Sequence, residues 1–222
     1  SLKFNKLTVY SSPYKYLPTA SFFLTKAFIN YLKSNKPFLE IIEEKIERNQ
    51  TYTDDYGALS AEQRYVLIKN DTYKFKSLPD KDSALIFIDD ISITGTHQIV
   101  VERLLKDSEI DNYSIFLYFA KLSNKKIHPN FENYLNYFSV KDLHDLTKLF
   151  RIKRIRFTTR TVKFILSSSK KEFEKFIDFL EILDNCLIHD LHRGALNNDY
   201  DSIDDYSHNF KVLEKKLGDL LV

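Results

Sequence analysis

The chain has 222 residues, enough for one α/β domain with an appendage or for two small domains. Hydrophobic residues make up 43% and aromatic residues 14%, so the chain can bury a sizeable core. The formal net charge is only +2, whereas a protein that binds nucleic acid strongly and without specificity is usually more basic. Composition therefore predicts a folded globular protein and gives no strong nucleic-acid signal.

The cysteine content bears on the compartment. A single cysteine, Cys186, excludes an internal disulfide framework and is typical of a reducing environment. No secretion signal is recognisable, and no apolar run is long enough to span a membrane. These features predict a cytoplasmic protein without a membrane partner.

The chain begins with a strand, a loop and a helix. Residues 6–10 predict a short strand, and residues 11–18 form a loop that contains two prolines. A broad apolar face predicts a helix over residues 20–33. Residues 37–48 predict an extended start that continues as an amphipathic helix, and a polar stretch follows at residues 49–57.

The most informative stretch is residues 83–101, where an apolar run meets a polar turn. The run from Leu85 to Ile88 is typical of a buried strand in a parallel sheet, and residues 98–106 predict a helix. The turn between them contains Gly95, which adopts a positive φ at low cost. A tight turn before a helix points backbone N–H groups at one spot, which suits a phosphate.

Two carboxylates, Asp89 and Asp90, come directly after the apolar run. Paired carboxylates at the end of a strand suit the hydroxyls of a sugar and, directly or through water, Mg²⁺. The stretch therefore combines a candidate phosphate site with a candidate site for ribose or a metal.

This order of residues resembles the phosphoribosyl-pyrophosphate (PRPP) signature of type I phosphoribosyltransferases. The matching positions are Leu85-Ile86-Phe87-Ile88, Asp89-Asp90, Ile91-Ser92-Ile93 and Thr94-Gly95-Thr96-His97. The resemblance implies that Asp89 and Asp90 are the catalytic acids, which contact the ribose and, through it or through water, Mg²⁺. It also implies that the turn binds the 5′-phosphate through Ser92, Thr94, Gly95, Thr96 and His97.

Two residues depart from the family pattern. His97 replaces a small or hydroxyl residue, so a phosphate contact there depends on its backbone N–H. Ile93 takes the place where members that act on purine bases carry a catalytic acid, which argues against hypoxanthine–guanine chemistry.

The acidic pair raises a geometric question, because neighbouring residues in a strand point to opposite faces. For both acids to meet the ribose, the chain must leave regular strand geometry, or one acid must act indirectly. We expect Asp90 to face the ribose and Asp89 to share the contact through the turn. Asn at both positions should keep or raise stability, because two adjacent like charges are neutralised.

The resemblance also assigns the pyrophosphate site. Type I members bind pyrophosphate with the loop after the first strand, which implies contacts from Ser11, Ser12 and Lys15. A second resemblance is to the hood of competence-associated phosphoribosyltransferase-like proteins and of phosphoribosyltransferases from bacterial tellurium- and stress-resistance gene clusters. It implies a hood at about residues 49–76 that closes over PRPP. Within it, Arg64 is the candidate pyrophosphate contact, since a guanidinium binds phosphate oxygens in pairs.

The rest of the chain divides into a core and an extension. The elements predicted after the signature are a strand at 113–120 and helices at 131–138 and 140–150. Residues 1–150 are therefore predicted to form an α/β core with a parallel sheet flanked by helices. Residues 151–222 are predicted to be a mainly helical C-terminal extension, with one long helix from residue 170 to about residue 191. Its basic segment, 151–163, is either a charged face or a contact for a nucleotide acceptor or an acidic partner.

The resemblance implies an enzyme that uses PRPP and Mg²⁺ and transfers the phosphoribosyl group to a nitrogenous acceptor with release of pyrophosphate. The acceptor is not identified, and a homodimer is left open. Two alternatives stay open as well. One is a regulator that senses PRPP or a nucleotide without turnover, which Ile93 favours. The other is an interaction module in a bacterial stress-response system, against which the intact acidic pair and Gly95 count.

Overall fold

The computed structural model describes residues 4–48, 73–124, 126–152, 156–167 and 172–220. These residues belong to two compact units. The first contains residues 4–14, 19–48 and 73–131, and the second contains residues 15–18 and 132–220. Residues 132–150 thus pack within the second unit, and the domain boundary at residue 150 stays a prediction.

The described residues of the first unit form strands and helices in alternation. The strands are β1 (Lys6–Ser11), β2 (Glu40–Glu44), β3 (Ile46–Arg48), β4 (Tyr73–Phe75), β5 (Ala84–Ser92) and β6 (Ser114–Lys121). The helices are α1 (Ala20–Asn35) and α2 (Thr96–Asp107). Four strands make a sheet in the order β2-β1-β5-β6, with every neighbouring pair parallel. Strands β3 and β4 form a separate antiparallel pair.

Side chains of the sheet alternate between two apolar clusters, one on each face. On one face, α1 contributes Ile29 to a cluster with Leu7, Val9, Ala84, Ile86 and Ile88. On the other face, α2 contributes Val101 and Leu105 to a cluster with Tyr10, Leu85 and Phe87. The two helices therefore cover opposite faces, and the predicted parallel sheet flanked by helices is confirmed.

The strand register sets where the polar residues meet. In the β1–β5 pair, Leu7 lies opposite Ala84 and Ser11 lies opposite Ile88. Because the two strands are parallel, the loop that follows Ser11 and the acidic pair that follows Ile88 reach the same edge of the sheet.

The helix predicted within residues 37–48 is wrong, because this segment forms β2 and β3. Strand β2 pairs with β1 from Lys6 opposite Glu40 to Tyr10 opposite Glu44. The spacing of the apolar residues fits an amphipathic helix, but isoleucine is β-branched and favours strands. Hydrogen bonds to β1, which lies far away in the sequence, decide the outcome.

The second unit is helical in its described part, as predicted for the C-terminal region. Its helices are α3 (Phe131–Asn136, whose first residue belongs to the first unit), α4 (Leu143–Ile152), α5 (Thr159–Leu166), α6 (Phe173–Ile182), α7 (Asn185–Asn197) and α8 (Asp204–Asp219). One continuous helix was the prediction for residues 170–191, but two form. The break occurs because the Asp184 carboxylate accepts a hydrogen bond from the Leu187 N–H at 2.8 Å and caps α7.

Among the described residues, the core of the second unit is one cluster of 18 buried apolar side chains, and Leu17 is one of them. Two buried asparagines form hydrogen bonds with backbone groups of this unit. Asn198 Oδ1 accepts from the backbone N–H groups of Tyr16 and Leu17, at 3.2 and 2.9 Å. Asn209 Nδ2 donates to the Leu166 carbonyl at 2.8 Å. Across the described residues, no helix has the length and apolar character needed to cross a membrane.

Candidate active site

The polar edge of the first unit surrounds a cleft of about 300 Å³ that opens to solvent. Four segments line it, namely the loop after β1, the end of β5, the first turns of α2, and β6. The polar residues that face it include Ser12, Asp89, His97, Gln98 and Tyr118. All of these residues belong to the first unit.

Asp89 is the most heavily hydrogen-bonded group of the cleft. Its Oδ1 accepts from Ser12 Oγ at 2.5 Å and from the Asp90 backbone N–H at 2.9 Å. Its Oδ2 lies 3.0 Å from His97 Nδ1, and the side chain is only 13% exposed.

The ionisation of Asp89 reflects these contacts. Burial alone would raise the pKa of the carboxyl group, because the charged form loses water. The charge and hydrogen bond of His97, with side-chain hydrogen bonds that involve Ser12 and Asp90, outweigh burial and lower the pKa to about 2. Asp89 is therefore a carboxylate at neutral pH.

Asp90 lies on the opposite face of β5. The strand stays regular through the acidic pair, with Asp89 opposite Tyr118 and Ile91 opposite Ala120 in the pairing with β6. Asp90 Oδ1 accepts from the Ile91 backbone N–H at 2.8 Å. The departure from strand geometry that both acids would need in order to share one ligand face is therefore not found in β5.

The predicted phosphate turn precedes α2. Gly95 has φ 75° and occupies the N-cap position, and its carbonyl accepts the Ile99 N–H at 3.2 Å. The hydroxyl oxygens of Thr94 and Thr96 lie 2.6 Å apart, and Ser92 is buried at the end of β5. No acidic residue occupies the first turn of α2, so the positive end of the helix dipole faces this edge without a carboxylate of its own helix.

The predicted pyrophosphate residues fall in different places. Ser11 is buried at the end of β1. Ser12 Oγ donates to Asp89, and the Ser12 backbone N–H donates to Ser21 Oγ at 3.1 Å. Lys15 belongs to the second unit, where its ammonium group forms an ion pair with Asp199. Arg64 and most of the predicted hood, residues 49–72, lie outside the described residues.

Three further residues of this unit, Tyr118, Gln98 and Lys45, were not identified from the sequence. Tyr118 donates its hydroxyl to Gln98 Oε1 at 2.8 Å, and burial together with the charges of Asp89 and Glu102 raises its pKa to about 12. Tyr118 could have been identified from the pairing of β5 with β6, which places it opposite Asp89.

The third of these residues is Lys45, between β2 and β3. Its ammonium group lies 4.3 Å from the centre of the Tyr14 ring, beside the loop after β1. Burial lowers the pKa of Lys45. The sequence pattern did not single out Lys45, because it predicts a helix for this segment.

A sequence model of the family described as PRTase ComF-like matches residues 2–213, nearly the whole chain. Among curated proteins, nothing matches. Among solved structures, the chain is similar to a hypoxanthine phosphoribosyltransferase from Staphylococcus aureus, with 11% sequence identity and a TM-score of 0.34. That match covers 54% of this chain and 63% of the other, so it spans less than two thirds of the solved protein.

Proposed function

Since the chain belongs to the ComF-like phosphoribosyltransferase family, we propose that it binds PRPP at the edge formed by β1, β5 and α2 and transfers its phosphoribosyl group to a nitrogenous acceptor. The sequence resemblance to phosphoribosyltransferases is confirmed by the family match. One observation supports the proposal most. The carboxylate of Asp89, a left-handed glycine turn at a helix N-terminus and the loop after β1 lie at one edge of one unit, and Asp90 follows Asp89 on the other face of β5.

The turn before α2 would hold the 5′-phosphate. The first backbone N–H groups of a helix have no partner within the helix, and the helix dipole favours an anion there. Gly95 allows the left-handed conformation that begins the turn, and nothing lies within 4 Å of the space a side chain would enter. A phosphate held in this way fixes one end of PRPP, so that the ribose is oriented before the reaction.

The acidic pair would act on the reacting sugar. When the bond between the ribose anomeric carbon and pyrophosphate breaks, positive charge develops on the ribose ring. A carboxylate fixed in a partly buried position stabilises that charge more than water does, because it does not reorganise during the reaction. The nitrogen of the acceptor then forms the new bond to the anomeric carbon, while pyrophosphate leaves with the bonding electrons.

Magnesium fits the donor set of the acidic pair. Mg²⁺ prefers oxygen ligands and is usually bound by one or two carboxylates together with the phosphates of a substrate. In the described ranges no group of three or more His, Cys, Asp or Glu side chains is placed to hold a metal. Asp89 and Asp90 would therefore contribute through the ribose, through water or directly, with PRPP as the main ligand. When bound, Mg²⁺ neutralises charge on the pyrophosphate.

The residues of the site do not identify the nitrogenous acceptor. Ile93 supplies no carboxylate beside the turn, which disfavours acceptors that need a side-chain acid at this position. A non-catalytic PRPP sensor is the second candidate function. It is favoured by the engagement of Asp89 with Ser12 and His97, which reduces its capacity to contact the sugar.

Calorimetric titration with PRPP, with and without Mg²⁺, tests the proposal first. We expect binding that Mg²⁺ strengthens, and competition by ribose 5-phosphate. Pyrophosphate release is then measured with a panel of purine and pyrimidine bases, and at least one base should support it. Binding without release by any base selects the sensor. If PRPP does not bind at all, both candidate functions are wrong.

A further inference from the structure

We infer that the two acids of the pair have different functions, and that Asp89 is a positioning residue that ties the loop after β1 to the first turn of α2 through Ser12 and His97. This inference rests on the proposed function and refines it. It replaces the expectation that Asp89 shares the ribose contact with Asp90.

The Asp89 carboxylate is already largely engaged by hydrogen bonds within the chain. Its two oxygens already take part in three hydrogen bonds, from Ser12 Oγ, the Asp90 N–H and His97 Nδ1. A carboxylate has about four lone-pair positions, and little of this side chain reaches solvent. The three hydrogen bonds leave at most one of these positions for a ligand, so contacts to two ribose hydroxyls would displace a charge-assisted bond, which is the stronger kind.

The three residues Ser12, Asp89 and His97 lie in three different segments of the first unit. Ser12 follows β1, Asp89 ends β5, and His97 lies in the first turn of α2. Ser12 and Asp89 are 77 residues apart in the sequence, so this contact joins segments that no local structure holds together. The loop implied in pyrophosphate binding and the turn implied in phosphate binding are therefore fixed to one carboxylate. Fixing two binding segments relative to each other lowers the cost of ordering them around a ligand.

The imidazole of His97 is long enough to span the distance from α2 to the end of β5, where its Nδ1 lies 3.0 Å from Asp89 Oδ2. An alanine at position 97 would be too short to make this contact. The side chain at position 97 therefore connects α2 to Asp89.

The inference makes a prediction that a sugar contact does not. A carboxylate that contacts the ribose repels pyrophosphate, so removing its charge should leave or improve the affinity for pyrophosphate alone. A carboxylate that positions the loop should lower that affinity when it is removed. Asp89→Asn should weaken the binding of magnesium pyrophosphate about tenfold, the size expected for losing hydrogen bonds to a charged group.

Matched variants identify the contact responsible. His97→Ala should weaken magnesium pyrophosphate binding as much as Asp89→Asn does, and the double variant should be no weaker than either single one. His97→Asn places an amide donor close to the position of Nδ1 and should restore most of the affinity. His97→Ala keeps both carboxylates, so a loss of affinity in that variant is not the loss of a Mg²⁺ ligand. Asp111→Asn, which removes an exposed carboxylate outside the site, should leave magnesium pyrophosphate affinity unchanged. Asp90→Asn should lower the rate of pyrophosphate release from PRPP, with the KM for PRPP changed less than kcat.

The outcomes separate this inference from the proposed function. If the wild-type protein binds neither PRPP nor magnesium pyrophosphate, the proposed function fails and the inference falls with it. If the wild type binds both, but Asp89→Asn loses affinity for PRPP and keeps it for magnesium pyrophosphate, only the inference is overturned. Additive effects of Asp89→Asn and His97→Ala would overturn it as well. Thermal unfolding of each variant confirms that the protein being titrated is folded.

Discussion

The two units bury polar groups for different purposes. Among the described residues, the first unit buries seven polar residues, which are Thr8, Ser11, Ser21, Thr25, Ser83, Ser92 and Thr96. The second unit buries two, Asn198 and Asn209, around a larger apolar cluster. Both asparagines bond to the backbone, whereas Ser11, Ser92 and Thr96 lie at the edge of the sheet beside the acidic pair.

This difference indicates where chemistry and where packing are concentrated. A buried polar group needs a partner, because an unsatisfied one costs free energy. In the second unit that need is met by the chain itself, so its polar residues stabilise the fold. In the first unit Ser11, Ser92 and Thr96 gather where strands end, the usual place of ligand sites in parallel sheets. Substitutions in the first unit should therefore change binding, and substitutions in the second should change stability alone.

The largest effect on binding should come from Gly95→Val. Gly95 has φ 75°, a conformation in which a β-branched residue is an outlier, so valine forces the turn to change and moves its N–H groups. Since a side chain there would meet nothing within 4 Å, the fold itself should survive. We expect PRPP affinity to fall about 100-fold or more, equal to about 3 kcal/mol.

The matched control is Gly95→Asn, because asparagine tolerates the left-handed conformation better than valine does. It should keep more of the affinity, and both variants should keep the wild-type circular dichroism. Normal PRPP binding by Gly95→Val would show that the phosphate site lies elsewhere and would weaken the contrast between the units.

In the second unit, Asn198→Ala should be the most destabilising of the substitutions considered. It removes the acceptor for two backbone N–H groups, one of them buried, and the donor to the Tyr200 hydroxyl at 3.1 Å. Each buried group left without a partner costs about 1–3 kcal/mol, so we expect the free energy of unfolding to fall by about 3 kcal/mol. Urea denaturation measures it.

Asn197→Ala is the neighbouring control. Asn197 is exposed, and its amide bonds only to the Arg193 carbonyl within α7, so the change should stay within about 0.5 kcal/mol. A similar loss of stability in both variants would mean that the buried contacts of Asn198 contribute little. The affinity for PRPP should be unchanged in both, at temperatures where they remain folded.

The sequence predicted most of the candidate site because its elements are local. The apolar run of β5, the acids after it and the glycine turn before α2 lie within about 15 residues, and β-propensity and turn chemistry are decided at that range. Strand β2 was missed because its stability comes from pairing with β1. Ser12, one partner of Asp89, lies 77 residues away from it, and Asp199, a partner of Lys15, lies 184 residues away. No sequence pattern connects residues at such distances.

The contacts of Asp89 also change the expectation for stability. The sequence argument, based on repulsion between the two acids, predicts that neutralising them keeps or raises stability. Ser12, the Asp90 N–H and His97 form hydrogen bonds with the Asp89 carboxylate. Asp89→Asn weakens these bonds and should therefore lower the free energy of unfolding. The pKa falls from 3.8 to about 2 on folding, which corresponds to on the order of 2 kcal/mol at neutral pH.

The pH dependence provides the test. Because the pKa of the folded state is the lower one, this stabilisation is present above pH 3.8 and is lost as the pH falls toward 2. The difference in unfolding free energy between the wild type and Asp89→Asn should be fully present at about pH 5 and shrink steadily below pH 4. Asp111→Asn, which removes an exposed carboxylate, should change stability by no more than about 0.5 kcal/mol at neutral pH. A difference for Asp89→Asn that does not depend on pH would contradict the electrostatic account.

The smallest effect compares two glycines in helices of the second unit. A Cβ atom added at Gly194 in α7 would lie 2.6 Å from Leu17 Cδ2, and Leu17 is itself buried and has little room to move. At Gly218, near the end of α8, nothing lies within 4 Å of such an atom. Alanine favours a helix over glycine by up to about 1 kcal/mol, while overfilling a packed site costs about 1–3 kcal/mol.

Gly194→Ala should therefore lower the free energy of unfolding by about 1 kcal/mol, because the cost of overpacking exceeds the gain in helix propensity. Gly218→Ala should raise it by about 0.5 kcal/mol, since the gain is reduced near the end of a helix. Urea denaturation of both variants under the same conditions measures the difference. Neither variant should change PRPP affinity, because both glycines serve packing in the second unit. If Gly194→Ala were as stabilising as Gly218→Ala, the close contact between α7 and Leu17 would be wrong, and the description of the second unit as tightly packed around Leu17 would fail with it.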